Sequence, residues 1–305
     1  MLISKRFRRL GAVFGASAAV AVAVWWAAEH GLGAGDSAGP ALREPAIPAT
    51  RGPAPDDGTV LPLAAYRPTA PQLARLRRAE QLVAQQCMRR LGFAWEPPAD
   101  AAGDRPLRTS PIGVTDPAQA GTFGYHDPGS AARVLLTEAP GPGARAEQAA
   151  LSGSSASGQP PPPGTPAGGC LGEADRRLRG GEPAYDTGLL GRLTAEATEA
   201  TERDRRIVAA LTMWSACMAR AGQHYAAPWD AQSQLWADKP TPSEIALATQ
   251  DVACKDETQL SWIWPTVQAG YEQQLVERHR PALDAVRRVL SYRLDRSDEI
   301  LREAA

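Results

Sequence analysis

The chain has 305 residues, of which 43% are hydrophobic, and a formal net charge of -1. This length and apolar content are enough for a core in one large domain or two small ones. The charge argues against a nucleic-acid binder, which normally carries a basic stripe along its phosphate-binding surface, so we expect no nucleic-acid partner.

The N-terminus predicts a membrane segment. Residues 1–9 carry basic and no acidic side chains, and an uncharged stretch follows from Leu10 to Ala28. At about 1.5 Å per residue this stretch approaches the roughly 30 Å of a hydrocarbon core. We therefore predict a cytoplasmic basic tail, then a single-pass anchor in the cell membrane at residues 10–28, with the C-terminal bulk outside. The alternative is a signal segment cleaved near residue 28, which would release a secreted protein.

A disordered linker is predicted at residues 29–68, which are rich in Gly, Ala, Pro and Asp and show no apolar periodicity. A first helical module follows at residues 69–181. It begins with the capping sequence Thr69–Gln72, and its first amphipathic helix carries Cys87 near its end. A Pro/Gly/Ser-rich insertion at residues 139–169 contains four consecutive prolines, and it predicts no packed element.

A second helical module is predicted at residues 186–305. One amphipathic helix carries Cys217 near its end, and the next helix carries Cys254. A helical stripe then continues from Leu260 to Leu294 and predicts a long C-terminal helix. The prolines expected to kink or divide this last stretch are Pro265 and Pro281. Since no segment shows strand alternation, we predict an all-α fold.

One phrase occurs twice in the sequence. The stretch "CMRRLGFAWEPP" begins at Cys87, and "CMARAGQHYAAP" begins at Cys217. In both copies a glycine follows the cysteine by five residues, as Gly92 and Gly222, and it predicts a helix that ends in a left-handed residue. The repetition predicts two disulfide-tied helical modules in a pseudo-duplicated arrangement.

The four cysteines allow three pairings, and the sequence by itself does not choose among them. The repeat favours Cys87 with Cys170 and Cys217 with Cys254, in an exported and therefore oxidising compartment. There is no CxxC motif, so neither a redox site nor a zinc knuckle is indicated. A metal site joining Cys217, His224 and Cys254 is the weaker alternative. We predict no metal and no other cofactor.

Four further phrases carry a family resemblance. They are "GVTDPAQAGTFGYH" (Gly113–His126), "GGCLGEADRRL" (Gly168–Leu178), "WSACMARAG" (Trp214–Gly222) and "EIALATQDVACKDETQL" (Glu244–Leu260). Over roughly Pro71 to Arg288, apart from the insertion, the chain resembles a recurrent group of actinobacterial extracytoplasmic proteins, membrane-anchored or secreted. These proteins share two CM...G helix modules and the order of four cysteines. The resemblance implies location and architecture, and it assigns no catalytic residue.

The candidate binding residues are one histidine and a group of tryptophans. His126 lies in "GYHDP", where a Tyr-His-Asp cluster could donate or accept protons, and a partly packed turn is the alternative. The tryptophans crowd one stretch and could line a groove for sugar rings or a partner helix, with core packing as the alternative. They are Trp229, Trp236, Trp262 and Trp264.

Acidic residues flank the second cysteine of each pair. They suggest either a paired-carboxylate site of glycosidase type or solvated helix faces and caps. These acids are Glu173, Asp175, Asp251, Asp256 and Glu257.

Two functions are compatible with these features. We expect a non-catalytic, membrane-tethered binding, scaffold or accessory protein of the cell envelope. Its C-terminal helix would meet an envelope protein or a second copy of the chain. The alternative is a cell-envelope hydrolase that acts on peptidoglycan or glycan and uses the acids and tryptophans named above.

Overall fold

The computed structural model describes residues 41–48, 61–97, 111–127, 142–154 and 160–304. These residues contain helices and no strand, so the all-α prediction is confirmed. In chain order the elements are a 3-10 helix (Pro62–Tyr66), α1 (Ala70–Arg90), α2 (Pro117–Phe123), α3 (Pro142–Ser152), α4 (Gly169–Arg179), α5 (Leu189–Arg203), α6 (Arg205–Arg220), α7 (Pro228–Gln232), α8 (Pro242–Glu257), α9 (Leu260–Arg278) and α10 (Arg280–Glu303). The described residues from Leu42 onward belong to one compact unit.

The predicted basic tail and membrane anchor at residues 1–28 lie outside the described residues. Within the described part of the chain, no helix combines the length and the apolar character needed to cross a membrane. The structure therefore concerns the predicted modules and part of the predicted linker.

Helix α1 starts and ends with local signals that the sequence makes visible. The Thr69 hydroxyl accepts the backbone amide of Gln72, and the Gln72 side chain accepts the backbone amide of Thr69 at 2.8 Å. This reciprocal pair satisfies two of the amides that a helix start leaves free. The predicted start of the first helix therefore coincides with a complete capping box.

The repeated phrase produces the same helix end twice. Gly92 after α1 and Gly222 after α6 have φ angles of +85° and +77°, in the left-handed region that glycine adopts without steric penalty. The amide of the next residue then donates to the carbonyl of Met88 or Met218, at 2.9 and 3.0 Å. This is the hydrogen bond of a Schellman ending. Both methionine side chains are fully buried.

The main core forms where α5, α6, α8 and α9 pack together. Its largest fully buried side chains are Trp214 on α6 and Trp264 on α9. The remaining apolar residues recur at helical spacing, as the sequence patterns of these elements require. They include Leu193, Ile207, Met218, Leu260, Val267 and Leu275.

The long C-terminal helix α10 joins the two predicted modules. Near its start, Leu283 and Val286 belong to the main core. Near its end, Ile300 packs with Val83 of α1 and Leu178 of α4 in a second, smaller cluster. Most of its apolar stripe is thereby covered by the chain's own helices.

The prolines of the C-terminal region act in different ways. Pro281 lies in the first turn of α10, where a missing amide is tolerated, and the chain divides into two helices just before it. Pro265 lies inside α9, which continues through it. The predicted division therefore occurs at Pro281 and not at Pro265.

The Pro/Gly/Ser-rich insertion contains a packed helix, contrary to the prediction for residues 139–169. Helix α3 occupies its first part and buries Ala149 and Ala150. A Cβ added to Gly153 would lie 2.6 Å from the backbone of Gly169, so two glycines let these segments approach closely. The small residues that argued against a packed element thus allow two segments of the insertion to pack closely together.

Part of the predicted linker at residues 29–68 also packs against the helices. Leu42 and Ile47 contact the main core, and Leu63 and Tyr66 of the 3-10 helix are buried in it. Residues 29–40 and 49–60 of this segment lie outside the described residues. Composition did not identify these contacts because each depends on side chains far away in the sequence.

Candidate functional site

Helices α2 and α8 meet and build a buried polar centre. Asp116 caps the start of helix α2, because its carboxylate accepts the amide of Ala118 at 2.8 Å. Gly124 caps the end of the helix and has a φ of +60°. A Cβ at Gly124 would lie 2.5 Å from Oε1 of Glu244, so the turn requires glycine. This turn places the Tyr125 amide so that it donates to Glu244 Oε1 at 2.9 Å.

Asp251 of α8 is the acceptor at the middle of this centre. It receives hydrogen bonds from Trp214 Nε1 at 3.0 Å, from the Tyr125 hydroxyl at 3.2 Å and from Lys255 Nζ at 2.7 Å. Lys255 also donates to the Val114 carbonyl at 2.8 Å. Asp251 and Lys255 are both fully buried and lie one helical turn apart. The ion pair therefore ties α8 to α6 and to the α2 region.

The electrostatics of this centre follow from burial. Burial raises the pKa of Asp251 and lowers that of Lys255, and the attraction between the two charges opposes both shifts. Burial also raises the pKa of Tyr125, helped by the negative charge of Asp251. The Tyr125 hydroxyl consequently stays protonated and acts as a donor to the carboxylate.

His126 lies at the edge of the same centre. Its Nε2 atom is 3.3 Å from Oε2 of Glu244, and neither atom has a hydrogen-bond partner among the described groups. The imidazole is one-fifth exposed, whereas the Glu244 side chain is fully buried. Tyr125 and His126 of the predicted Tyr-His-Asp cluster thus lie beside carboxylates of α8, Tyr125 beside Asp251 and His126 beside Glu244. The sequence indicated neither of these pairings.

The four candidate tryptophans do not form one exposed groove. Trp264 is buried in the main core and donates to Gln268 Oε1 at 3.0 Å. Trp229 packs edge-on against Trp264, with ring centroids 6.0 Å apart. Trp236 and Trp262 are half-buried. The core-packing alternative therefore describes Trp264 and, in part, Trp229.

The loop after α7 presents an apolar side chain to solvent. Leu235 is fully exposed. Its neighbour Trp236 is held in place, because its ring lies 5.6 Å from the Tyr125 ring and its Nε1 donates to the Gln232 carbonyl at 3.2 Å. The loop thereby joins the buried polar centre to an exposed leucine.

The described cysteines form two disulfides, Cys87 with Cys170 and Cys217 with Cys254, as the repeat favours. The alternative metal site with His224 is wrong, because both of its cysteines are bonded to each other. No group of three or more potential metal ligands occurs among the described residues. The cysteines therefore fasten helices.

The repetition extends to an ion pair beside each disulfide. Arg90 and Arg220 each follow the first cysteine by three residues, and Glu173 and Glu257 each follow the second cysteine by three. Arg90 Nη2 lies 2.7 Å from Glu173, and Arg220 pairs with Glu257 in the same way. The placement of the second cysteines differs, however. Cys170 starts α4, whereas Cys254 lies near the end of α8.

The other candidate acids are distributed over separate parts of the surface. Asp175 pairs with Arg179 one turn along α4. Asp256 is exposed on α8, close in sequence to the buried Asp251. Among the described residues, the acids beside the two disulfides belong to two separate ion pairs.

Sequence reasoning missed the roles of Glu244 and Lys255. Glu244 fits a capping box after Thr241, but its carboxylate turns to Tyr125 in place of the helix start. A signal for Lys255 was present, since it follows Asp251 by four residues on a helix, the spacing of an ion pair. Their burial depends on α2, which lies more than a hundred residues earlier.

The fold and the site define a helical protein with two disulfides and a buried polar centre. No protein-family model, no curated protein and no solved structure matches the chain.

Proposed function

We propose that the chain is a non-catalytic, membrane-tethered binding or scaffold protein of the cell envelope, as the actinobacterial resemblance implies. Two disulfides support an oxidising compartment outside the cytoplasm. The anchor expected at residues 10–28 would hold the helical body at the outer face of the cell membrane.

Leu235 is the observation that carries this proposal. An exposed leucine side chain contributes no stabilisation from apolar burial, but a single exposed leucine needs no explanation by itself. Here, however, the neighbouring Trp236 is fixed by a ring contact with Tyr125 and by a hydrogen bond to Gln232. These contacts of Trp236 hold the loop in place, and the loop therefore keeps Leu235 exposed at a fixed position. That arrangement suits an apolar anchor for a pocket on an envelope protein.

The contacts of the candidate acids support binding over hydrolysis. A glycosidase needs two carboxylates that face one cleft at a separation fit for a sugar ring. Asp251 instead accepts three internal hydrogen bonds, and Glu173 pairs with Arg90. Each acid thus has a structural partner, which favours the binding function.

The experiment is site-specific photocrosslinking with the full-length protein in its native membrane fraction. We expect a photoreactive residue at Leu235 to give one dominant crosslinked neighbour, with the protein at full-length mass and without free thiols. Leu235→Glu should prevent capture by a probe placed at Gln234, without lowering the melting temperature.

Met213→Glu is the matched control, because Met213 is also apolar and half-exposed but lies on α6. It should leave the crosslink unchanged. A mass trimmed near residue 28, recovered in the soluble fraction without a neighbour, would contradict the proposed tether and partner.

A further inference from the structure

Residues Leu42–Pro48, called the strap here, belong to no helix or turn and lie against α6 and α9. Arg43 contacts Gln274 of α9, and Pro45 contacts Arg206 of α6. Leu42 and Ile47 pack against the main core. The strap thus occupies a surface built by helices that lie more than 150 residues later in the sequence.

The helices hold the strap through its main chain. Gln274 accepts the Arg43 amide at 2.9 Å and donates its own amide to the Arg43 carbonyl at 2.8 Å. Arg206 Nη1 donates to the Pro45 carbonyl at 2.8 Å. A side-chain amide that satisfies both main-chain groups of one residue can hold any extended peptide in that position. The backbone contacts therefore fix the path of the strap independently of its sequence.

Arg206 is held in position by buried groups. Asp204 accepts from Arg206 Nε at 2.8 Å and Nη2 at 2.6 Å, and also from the Tyr271 hydroxyl at 3.1 Å. Burial acts to raise the pKa of Asp204, but the hydrogen bonds from Arg206 and Tyr271 outweigh it and hold that pKa below its usual value. Asp204 consequently stays ionised and keeps the guanidinium aimed at the strap.

The surface beneath the strap determines which side chains a bound peptide can place there. A Cβ added to Gly270 of α9 would lie 2.3 Å from Cβ of Pro45, so the proline fits there because Gly270 has no side chain. Leu42 lies three residues before Pro45, and Ile47 lies two residues after it. Both apolar side chains are partly buried against the core. The surface is thus matched to an extended peptide with that spacing.

We propose that the surface formed by Arg206, Gly270 and Gln274 is a binding site for an extended, proline-containing peptide, and that the strap is its built-in ligand. The site combines backbone clamps with apolar anchors, which is how proteins recognise extended peptides. The side chains that bind the strap main chain, Arg206 and Gln274, lie on helices of the body, so the surface persists when the strap leaves. A peptide with the same spacing of leucine, proline and isoleucine displaces the strap.

Displacement changes the reach of the tether, a consequence that depends on the proposed membrane anchor. With the strap bound, residues 29–41 connect the anchor to the body and span at most about 45 Å. With the strap released, the connection extends over residues 29–60 and spans at most about 110 Å. The site therefore sets the greatest distance from the membrane at which the body can meet a partner.

Peptide exchange tests the site directly. A protease site is inserted between residues 52 and 57 of the full-length protein in detergent micelles, and the chain is cut there. A fluorescent peptide of residues 41–48 should then replace the cut strap and bind saturably. Gln274→Ala should weaken that binding about tenfold or more. Gln273→Ala should not change it, because the exposed Gln273 side chain donates its hydrogen bond to Glu277.

A glycine pair gives a second, independent readout. Gly270→Ala should release the strap, seen as faster proteolysis at the inserted site and loss of peptide binding. Gly191→Ala adds the same methyl group to α5, where nothing lies within 4 Å, and should have no effect on either readout.

The outcomes separate the site from the tether. Peptide-sensitive dimers after cutting would support the site, with the strap of a second copy as an occupant. Failure of the peptide to exchange, or equal binding by the Gln274→Ala variant, would overturn the proposal. Because the exchange assay involves neither Leu235 nor membrane attachment, its result is independent of the crosslinking experiment.

Discussion

Lys255 shows how a single residue organises the buried centre. Its ammonium group is fully buried and is neutralised by Asp251 at 2.7 Å, one helical turn earlier. Replacing such a pair with apolar residues is often neutral, but removing one partner leaves an uncompensated charge in a low-dielectric interior. The centre therefore depends on both residues together.

Lys255→Met is expected to lower the free energy of unfolding by about 3 to 5 kcal/mol near neutral pH. Asp251 would keep its bonds from Trp214 and Tyr125 but lose its only described cationic partner. Urea unfolding near pH 7 measures this change. Lys239→Met is the matched control, since Lys239 is an exposed loop lysine, and it should stay within about 0.5 kcal/mol of the parent.

The same variant should recover stability in acid. Burial already raises the pKa of Asp251, and loss of Lys255 removes the attraction that opposes this shift. A carboxyl whose folded pKa lies above its unfolded value loses stability as the pH rises from about 4 through the folded pKa. The deficit of Lys255→Met should therefore be smaller near pH 4 than near pH 7, and adding Asp251→Asn should remove most of this dependence. An equal deficit at both pH values would contradict the buried ion pair.

Some residues of this centre could be predicted and others could not. The sequence marked His126 because it lies in a Tyr-His-Asp turn, and it marked Asp251 because that acid lies close to the second cysteine of a pair. Glu244 was hidden because its local pattern matched a helix cap. Its actual partner, Tyr125, is 119 residues away. Local patterns carry no information on such contacts, which tertiary packing alone creates.

At the scale of elements, the repeated phrase encodes a helix end and the link beside it. The cysteine, the buried methionine, the arginine and the left-handed glycine recur in α1 and α6. These features are local, so the sequence predicted them. The helix that carries the second cysteine is not repeated, because Cys170 is the second residue of α4 whereas Cys254 lies three residues before the end of α8. The similarity of the two modules is therefore greatest at their disulfides.

The two helix ends offer a matched test. Gly92→Ala and Gly222→Ala should each lower the free energy of unfolding by about 1 kcal/mol, because an alanine in the left-handed region strains its backbone. No atom lies within 4 Å of the new Cβ at either site, so steric clash does not contribute. Chemical denaturation of both variants measures the effect. A neutral result at one site alone would show that the two helix ends are not energetically equivalent.

At the scale of the whole molecule, the connections between elements were the hardest to predict. The strap and the 3-10 helix lie in a segment whose composition indicates disorder. They are held by residues such as Gln274 and Glu272, the latter accepting the Leu63 amide at 2.9 Å. The apolar stripe from Leu260 to Leu294 did predict a long C-terminal helix, and α10 has 24 residues. Periodicity could not show that this stripe faces the chain's own α1 and α4.

The course of α10 predicts that the helical body unfolds in one transition. Its start lies in the main core and its end in the cluster of α1 and α4, so separation of these parts would expose apolar surface on both. Four of the six described tryptophans belong to the main core or pack against it, namely Trp214, Trp229, Trp236 and Trp264. Tryptophan fluorescence should therefore follow the same denaturation curve as far-ultraviolet circular dichroism, which reports all helices.

Ile300→Ala sharpens this prediction. The substitution removes apolar contacts only at the cluster of α1 and α4, and it should lower the free energy of unfolding by about 2 kcal/mol, near the lower limit for a buried isoleucine. If α10 couples the two parts, the fluorescence of the distant main core shifts to lower denaturant together with the circular dichroism. Ala209→Gly, on the exposed face of α6, is the control for loss of helix stability without loss of a contact between the parts. An early loss of circular dichroism in Ile300→Ala, with the fluorescence curve unchanged, would mean that the two clusters unfold separately and that α10 does not couple them.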